Sequence, residues 1–376
     1  MFRKSGRGAA RSRSASLVML WCLLTFVLTA APAAAQDAES LAAHMDAALT
    51  DVLASHPNVP GFAAAIIKDG VVIWSGGYGV ADIESGASVT ADTPFAAASI
   101  AKVVTAYAIL GLADEGVIDL DAPVNSYLTR WQVPVLGRND PDEVTIRRIL
   151  SHTAGLSAEG YAGFTPDHEI PTLEQFLDGI AGEPVRVIIS PGRRFMYSGG
   201  GYTVLQLLIE ELTGESYADY MQETVLEPLG MEHSSFEWFH DLGAATQYDV
   251  NGSVFPGVTH VDQAAGGLYT SANDLATFFA ALLHDDRAEA IFTPNEHTDP
   301  DPYGFGVYVD QTESGETMIW HDGLGRGMHA IFTLFPEHDE GVVVLTNSPA
   351  GNAVVDEVMC AYDSWSEVEA PEFCEG

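Results

Sequence analysis

The sequence predicts a mixed α/β fold, of the α+β kind, in which one antiparallel sheet takes strands from both ends of the chain. Short apolar runs bounded by turn residues, which are typical of strands, occur before residue 95 and after residue 304. The segment between them carries apolar residues mostly at helical spacing. This distribution favours a sheet flanked by helices, with a mostly helical region inserted. We expect catalytic groups where the sheet meets that region.

The first predicted elements are a helix and a hairpin. Leucine and methionine recur at helical spacing over residues 39–56. Residues 61–67 form an apolar run, residues 68–70 read Lys-Asp-Gly, and residues 71–75 are again apolar. Because Asp-Gly favours a tight turn between antiparallel strands, these residues predict a β-hairpin.

The later elements follow the same two patterns. Helices are predicted at 99–115, 145–151, 173–181, 201–213, 216–226 and 272–284. Strands are predicted at 304–310, 317–321, 328–335 and 341–346, with a final helix at 351–363. A Pro-Glu-His-Asp-Glu-Gly turn joins the last two strands and favours their antiparallel pairing.

The N-terminus has the composition of a secretory signal peptide. Five basic residues lie in the first 13, an apolar stretch covers 17–31, and Ala33-Ala34-Ala35 fits a small-residue cleavage site. We expect a signal peptide at 1–35, cleaved after Ala35, and a secreted or periplasmic protein. The alternative is an uncleaved membrane anchor, but the apolar stretch is shorter than the span of about 20 residues that a bilayer requires.

The rest of the chain, 36–376, is predicted to be one catalytic domain. Its sheet region covers about 36–95 and 285–376, and its helical region covers about 96–284. The whole chain has 53 acidic and 16 basic residues, a formal net charge of −37. This charge argues against nucleic acid and, after signal cleavage, against a membrane as partner, and it fits either a high-salt habitat or a generally acidic secreted protein. Cys360 and Cys374 are expected to form a disulfide in an oxidising compartment.

A serine and a lysine three residues apart provide the first candidate catalytic pair. Ser99 and Lys102 open a predicted helix, and positions i and i+3 share a helix face. A partly desolvated lysine can act as the base that activates a serine hydroxyl. After the predicted signal peptide the chain contains only one other lysine, Lys68.

Two further polar clusters lie far from this pair in the sequence. The first, Tyr197-Ser198-Gly199, precedes an apolar helix, and its tyrosine is expected to have a lowered pKa if it lies beside a lysine. The second, His321-Asp322-Gly323-Leu324, is expected at the end of a strand, with Arg326 close behind it. A strand end of this kind can direct a backbone N–H at an oxyanion. Each cluster taken alone is more typical of an ordinary turn.

Together the three clusters resemble the penicillin-recognising serine hydrolases, which include class C β-lactamases, D-alanyl-D-alanine carboxypeptidases and β-lactamase-like esterases. Residues 150–156, 265–269 and 344–348 add to this resemblance, which covers nearly the whole chain after the signal peptide. It implies a β-lactamase/transpeptidase-like fold. The histidine of the first stretch, His152, is expected to be structural.

The resemblance also implies specific roles. Ser99 would be the acylated nucleophile, and Lys102 and Tyr197 would share proton transfer. His321 would replace the lysine that many members carry in their third motif. The backbone N–H groups of Ser99 and Leu324 would form the oxyanion hole, and no metal or organic cofactor is implied.

Two positions depart from the family pattern. Gly199 stands where an asparagine usually contacts the substrate amide, and Asp322 stands beside Gly323 where a threonine or serine usually helps to hold a substrate carboxylate. A carboxylate at 322 repels such a group unless Arg326 neutralises it or binds the acid itself.

The departures favour small uncharged esters over β-lactams. A peptidase or amidase for D-amino-acid peptides, or a carboxypeptidase-like enzyme, is the first alternative. A non-catalytic binding protein on the same scaffold is the second.

Overall fold

The computed structural model describes residues 31–134, 140–165, 167–180, 182–237 and 243–365. The strands in this part of the chain are β1 Gly61–Lys68, β2 Val71–Asp82, β3 Ala87–Ser88, β4 Phe95–Ala96, β5 Tyr269–Thr270, β6 Tyr308–Gln311, β7 Thr317–Gly325, β8 Met328–Phe335 and β9 Glu340–Thr346. The α-helices are α1 Ala31–Leu49, α2 Val52–Ser55, α3 Ala101–Asp114, α4 Ile146–Leu150, α5 Leu173–Leu177, α6 Gly199–Thr213, α7 Tyr217–Met221, α8 Gln263–Gly266, α9 Ala272–Leu283, α10 Ala288–Phe292 and α11 Asn352–Asp363. Short 3₁₀ turns cover Ala98–Ile100, Val124–Ser126, Pro141–Glu143 and Pro336–His338, and a π turn covers Gln222–Leu226.

One seven-stranded antiparallel sheet carries the fold. Its strand order is β3-β2-β1-β9-β8-β7-β6, and β4 pairs separately with β5. The N-terminal hairpin joins the C-terminal strands through the β1–β9 pair, in which Ala65 lies opposite Val343. This topology, with helices supplied by the middle of the chain, confirms the predicted fold class.

Both faces of the sheet are covered. On one face, Ala63 and Ala65 of β1 pack into the core that includes α3, α6 and α9. On the other, Phe62, Ala64 and Ile66 pack against α1 and α11. Because successive side chains point to opposite faces, β1 must be apolar throughout, which explains its uninterrupted apolar run.

The boundaries of several helices and strands differ from those predicted. The strand predicted at 304–310 begins only at Tyr308, and the helix predicted at 39–56 breaks after Leu49. The strand predicted to stop at His321 continues to Gly325, because these residues keep pairing with β8 as far as Gly325 opposite Met328. The third polar cluster therefore lies within a strand and not after one.

The two ends of the chain are described only in part. Residues 1–30 of the predicted signal peptide lie outside the described residues, as does Cys374. Cys360 is disulfide-bonded, and its pairing with Cys374 stays a prediction. Within the described ranges, no helix has both the length and the apolar composition needed to cross a membrane.

Candidate active site

Ser99 lies on a strained turn at the entrance to α3. The turn begins at Ala98, which adopts a left-handed backbone conformation with φ +42° although it is not a glycine. Such strained residues concentrate at functional sites, where the surrounding structure holds them in place. Ser99 itself is partly exposed.

Lys102 is the buried partner of this serine. Its side chain is 2% exposed, and its Nζ lies 3.1 Å from Ser99 Oγ and donates to the carbonyl oxygen of Ala265 at 2.6 Å. Burial lowers the pKa of Lys102 to about 7, against the opposing pull of the Asp262 and Asp322 charges. A substantial share of neutral amine is thus present near pH 7, and a neutral amine can accept the serine proton.

The helix turn that carries the Ala265 carbonyl is held by the side chains of Gln206 and Thr105. In α8, the N–H of the neighbouring Ala264 donates to Gln206 Oε1 at 3.2 Å. The carbonyl oxygen of Ala264 accepts from Thr105 Oγ1 at 2.9 Å. The Gln206 amide also donates to the carbonyl of Val261 at 2.9 Å. Sequence reasoning associated residues 265–269 with the family but missed this acceptor, since a backbone carbonyl leaves no mark in the side-chain pattern.

Tyr197 reaches the same centre from the start of α6. Lys102 Nζ lies 4.9 Å from the centroid of its ring. Burial raises the pKa of Tyr197 above its usual value, although an interaction with the Ser99 hydroxyl opposes the rise. The expectation of a lowered pKa is therefore wrong, because desolvation of the phenolate, reinforced by the negative charges of Asp322 and Glu159, outweighs the hydrogen bond with Ser99. The raised pKa keeps the Tyr197 hydroxyl protonated near pH 7, whereas the lowered pKa of Lys102 favours a neutral amine.

His321 is present at the site but is uncharged. Its side chain is 2% exposed, and burial together with the Lys102 charge lowers its pKa to about 3. Its Nδ1–H donates to the carbonyl of Asp322 at 2.6 Å, which leaves Nε2 to accept from the Tyr303 hydroxyl at 3.2 Å. His321 therefore does not supply the positive charge that a lysine would bring to this position.

The free edge of β7 faces the Ser99 turn. Among the described residues, β6 pairs with β7 only as far as Trp320, so the edge beyond it is not covered by β6. At Gly323 the strand comes so close that an added Cβ would lie 2.1 Å from the carbonyl oxygen of Ala97. Leu324 follows, with its side chain 62% exposed. The predicted oxyanion donors, on Ser99 and Leu324, thus lie on two segments in direct contact, and their role stays a prediction.

The two departures from the family pattern also have a structural setting. A Cβ on Gly199 would lie 2.8 Å from the carbonyl oxygen of Glu159, so the backbone of that loop lies against the position where an asparagine side chain would begin. Asp322 is 42% exposed, with an oxygen 4.0 Å from His329 Nε2. Arg326 stacks on Phe255, 5.0 Å from the ring centroid, and the ion pairs found in the described part of the chain do not include one between Arg326 and Asp322. Arg326 therefore leaves the Asp322 charge unneutralised.

No group of three or more histidine, cysteine, aspartate or glutamate side chains within the described ranges is arranged to hold a metal ion. The chemistry available at this centre is that of a serine, an amine, a phenol and backbone dipoles. These groups together suit acyl transfer through a serine.

Comparison with known proteins places this chain in a family. Residues 41–358 match the family model described as Beta-lactamase. The chain belongs to the beta-lactamase family. The members of this family are serine hydrolases that act on esters or amides.

Individual relatives are distant in sequence. Protein flp of Staphylococcus aureus strain MW2 is 26% identical over 309 residues, which cover 77% of this chain and 60% of flp. The chain thus spans less than two thirds of the length of that relative.

Solved structures share the architecture. The octameric penicillin-binding protein homologue from Pyrococcus abyssi has a TM-score of 0.72 and 28% identity, over 85% of this chain and 76% of that one. A class C β-lactamase from Rhodobacter sphaeroides has a TM-score of 0.67 and 21% identity, over 84% of this chain and 98% of that one, and shows a common fold.

Proposed function

We propose that this member of the beta-lactamase family is an exported esterase that hydrolyses small esters through an acyl-enzyme on Ser99. The observation that carries the proposal is the Lys102 Nζ, 3.1 Å from Ser99 Oγ, on a side chain whose burial lowers its pKa to about 7. A serine beside an amine that is partly neutral at working pH is an activated nucleophile.

The reaction has two halves. Ser99 Oγ attacks the ester carbonyl carbon while Lys102 takes the serine proton, and the oxyanion is stabilised by backbone N–H groups at the Ser99–Leu324 junction. The C–O bond to the leaving alcohol breaks as that oxygen receives a proton from Lys102, directly or by way of the Tyr197 hydroxyl. A water molecule then attacks the acyl carbon and gives its proton to neutral Lys102. The bond between the acyl carbon and Ser99 Oγ breaks, the acid departs, and Lys102 returns the proton to Ser99 Oγ.

The preference for uncharged esters rests on what surrounds the nucleophile. Gly199 offers no side-chain amide to a peptide or lactam, and Asp322 replaces a hydroxyl that would hold a carboxylate. The Glu159 carboxylate adds to the negative field, since its charge acts on both Tyr197 and Tyr308. An anionic substrate is repelled by this surrounding, whereas a neutral ester is not.

Export is proposed from the basic and apolar N-terminal segment that ends at Ala35. Expression of the full chain in a bacterial host, followed by N-terminal sequencing of the exported protein, tests it. A mature terminus at Gln36 supports export, and retention of the intact chain in the membrane fraction contradicts it.

The catalytic proposal is tested by covalent labelling. The protein lacking residues 1–35 is treated with a fluorophosphonate at low and at molar salt, and the intact mass and the modified peptide are measured. A single adduct on Ser99 that is lost in Lys102→Ala is expected. Absence of an adduct from folded protein at both salt concentrations would overturn the proposal in favour of a binding protein.

Substrate class is then decided with a matched panel. Nitrophenyl esters of short acids are expected to turn over faster than D-aminoacyl nitroanilides and nitrocefin. Faster cleavage of the anilides would assign a peptidase or amidase, and rapid nitrocefin turnover would assign a β-lactamase.

A further inference from the structure

We propose that His152 is the positioning residue for Tyr197, holding the phenol at the site from behind. The inference rests on the proposed function, because Tyr197 is assigned its proton-transfer role there. His152 itself does not contact Ser99 or Lys102 through any hydrogen bond in the described part of the chain.

His152 accepts hydrogen bonds from the residues on both sides of Tyr197. The carbonyl oxygen of His152 accepts from the N–H of Met196 at 2.8 Å, and its Nδ1 accepts from the N–H of Ser198 at 3.1 Å. The residues on both sides of Tyr197 are therefore tied to a single partner. Because the Ser198 contact is buried, losing its acceptor would leave an unsatisfied N–H that favours a local shift.

The imidazole also packs on the tyrosine itself. The ring centroids of His152 and Tyr197 are 4.2 Å apart, and the rings of Tyr202 and Tyr303 close the other sides at 5.2 Å and 4.9 Å. His152 is 2% exposed, so this packing is enclosed. The ring thus limits the sideways movement of the phenol, while the two hydrogen bonds fix its backbone.

The protonation state suits this role. Since Nδ1 accepts a backbone N–H, the proton of the neutral ring is on Nε2, for which the described residues provide no hydrogen-bond partner. Burial and the positive charge of Lys102 hold the pKa of His152 well below its usual value. The ring is therefore neutral, and it keeps its Nδ1 acceptor at the pH where Lys102 works.

The loop that carries His152 does not depend on the imidazole for its own shape. Thr153 and Ala154 both donate their N–H groups to the carbonyl of Arg148, at 2.8 Å and 2.9 Å. His152 itself adopts a left-handed backbone with φ +56°, a conformation that glycine and asparagine tolerate better.

Two substitutions separate the side-chain role from the backbone conformation. His152→Gly accepts the left-handed backbone but removes the ring and the acceptor. His152→Asn also accepts that backbone and returns an amide oxygen near the position of Nδ1. Neither variant is expected to strain the loop backbone, so far-UV circular dichroism should resemble that of the parent protein. Thermal melting should occur at a lower temperature, more so in His152→Gly, because the buried ring leaves a cavity and the Ser198 N–H loses its acceptor.

Kinetics on the preferred ester provide the first readout. Displacing a proton-transfer group by a fraction of an ångström to about 1 Å costs up to about 100-fold, so we expect kcat to fall by about 10- to 100-fold in His152→Gly with KM changed by less than about 3-fold. His152→Asn should recover part of the loss. In a Tyr197→Phe background, His152→Gly should cost little more, because both changes act through one group. Equal losses in both backgrounds, or an unchanged kcat in folded His152→Gly, would overturn the inference.

A crystal structure of His152→Gly provides a readout that does not depend on activity. The Tyr197 ring is expected to leave its position 4.9 Å from Lys102 Nζ or to occupy more than one conformer. A ring in its original place contradicts the positioning role, even if the parent enzyme proves inactive. Failure of Ser99 labelling in the parent protein would instead contradict the proposed function, so the two failures are distinguishable.

Discussion

Gly323 lies directly against Ala97, so that a Cβ atom added to the glycine would be 2.1 Å from the alanine carbonyl oxygen. This contact sets the distance between strand β7 and the turn that carries Ser99. No side chain can occupy this space without moving one of the two segments. The contact therefore links the packing of the sheet to the position of the nucleophile.

Gly323→Ala is expected to move the Ser99 turn. Overpacking against backbone should lower the free energy of unfolding by about 1–3 kcal/mol. Ser99 labelling should fall by more than about 10-fold, because the nucleophile shifts from its oxyanion donors. Chemical denaturation and the labelling rate measure the two effects.

Gly325→Ala is the matched control, since its Cβ would meet only the flexible side chain of Met328, at 3.0 Å from Sδ. It should retain both stability and labelling. Parallel losses in the two variants would contradict the specific role of the Gly323–Ala97 contact.

The acylation rate should rise with pH through about 7 as Lys102 loses its proton. The charge of Asp262 favours the ammonium form, so Asp262→Asn should lower the Lys102 pKa and move this limb to lower pH. Asp322→Asn should move it in the same direction by less. Stopped-flow measurement of the acylation burst across pH reports the midpoints.

Asp286→Asn serves as control for that series, because Asp286 is exposed and is not among the charges that act on Lys102. Its midpoint should equal that of the parent enzyme. An unchanged midpoint of the pH dependence in Asp262→Asn would show that a group other than Lys102 controls acylation.

Lys102 should also make the free energy of unfolding depend on pH. Its pKa is about 7 in the folded protein and near 10.5 when exposed, so between these values the unfolded chain binds more protons and stability rises with pH. Relative to Lys102→Met, the parent protein should gain up to about 1.4 kcal/mol per pH unit in that range. Urea denaturation of both proteins at several alkaline pH values measures the difference. Parallel stability profiles would mean that the lysine is not desolvated.

Asp322→Thr should widen the substrate range toward anions. Removing one partly exposed charge should raise kcat/KM for a nitrophenyl ester with a terminal carboxylate by about 3- to 10-fold. The isosteric uncharged ester should change much less, and comparing the two in both proteins isolates the charge effect. An equal change for both esters would indicate altered geometry instead.

The first strand, the N-terminal hairpin and the pairing of Ser99 with Lys102 could be predicted from the sequence, because the patterns that indicate them are local. The uninterrupted apolar run at 61–67, the Asp-Gly turn and the spacing of Ser99 and Lys102 each depend on residues a few positions apart. Backbone geometry alone converts such spacing into a strand, a hairpin or a shared helix face. The N- and C-terminal strands also had to meet, since each hairpin needs a partner to bury its apolar faces.

The ionisation of the site could not be predicted in this way. The pKa of Lys102 falls and that of Tyr197 rises because both are enclosed by segments more than 90 residues apart in the sequence. Desolvation depends on the complete packed surroundings of a group and not on its neighbours in the chain. The neutral state of His321 has the same origin.

The sequence alone determined the fold class, the family resemblance and the identity of the groups that can react. Only the tertiary structure decided which of them is buried beside Ser99, which backbone carbonyl accepts from Lys102 Nζ, and that His152 binds both neighbours of Tyr197. The physical reason is the distance along the chain over which each property acts. Periodicity depends on residues a few positions apart, whereas burial and hydrogen bonding between distant segments arise only when the chain is packed.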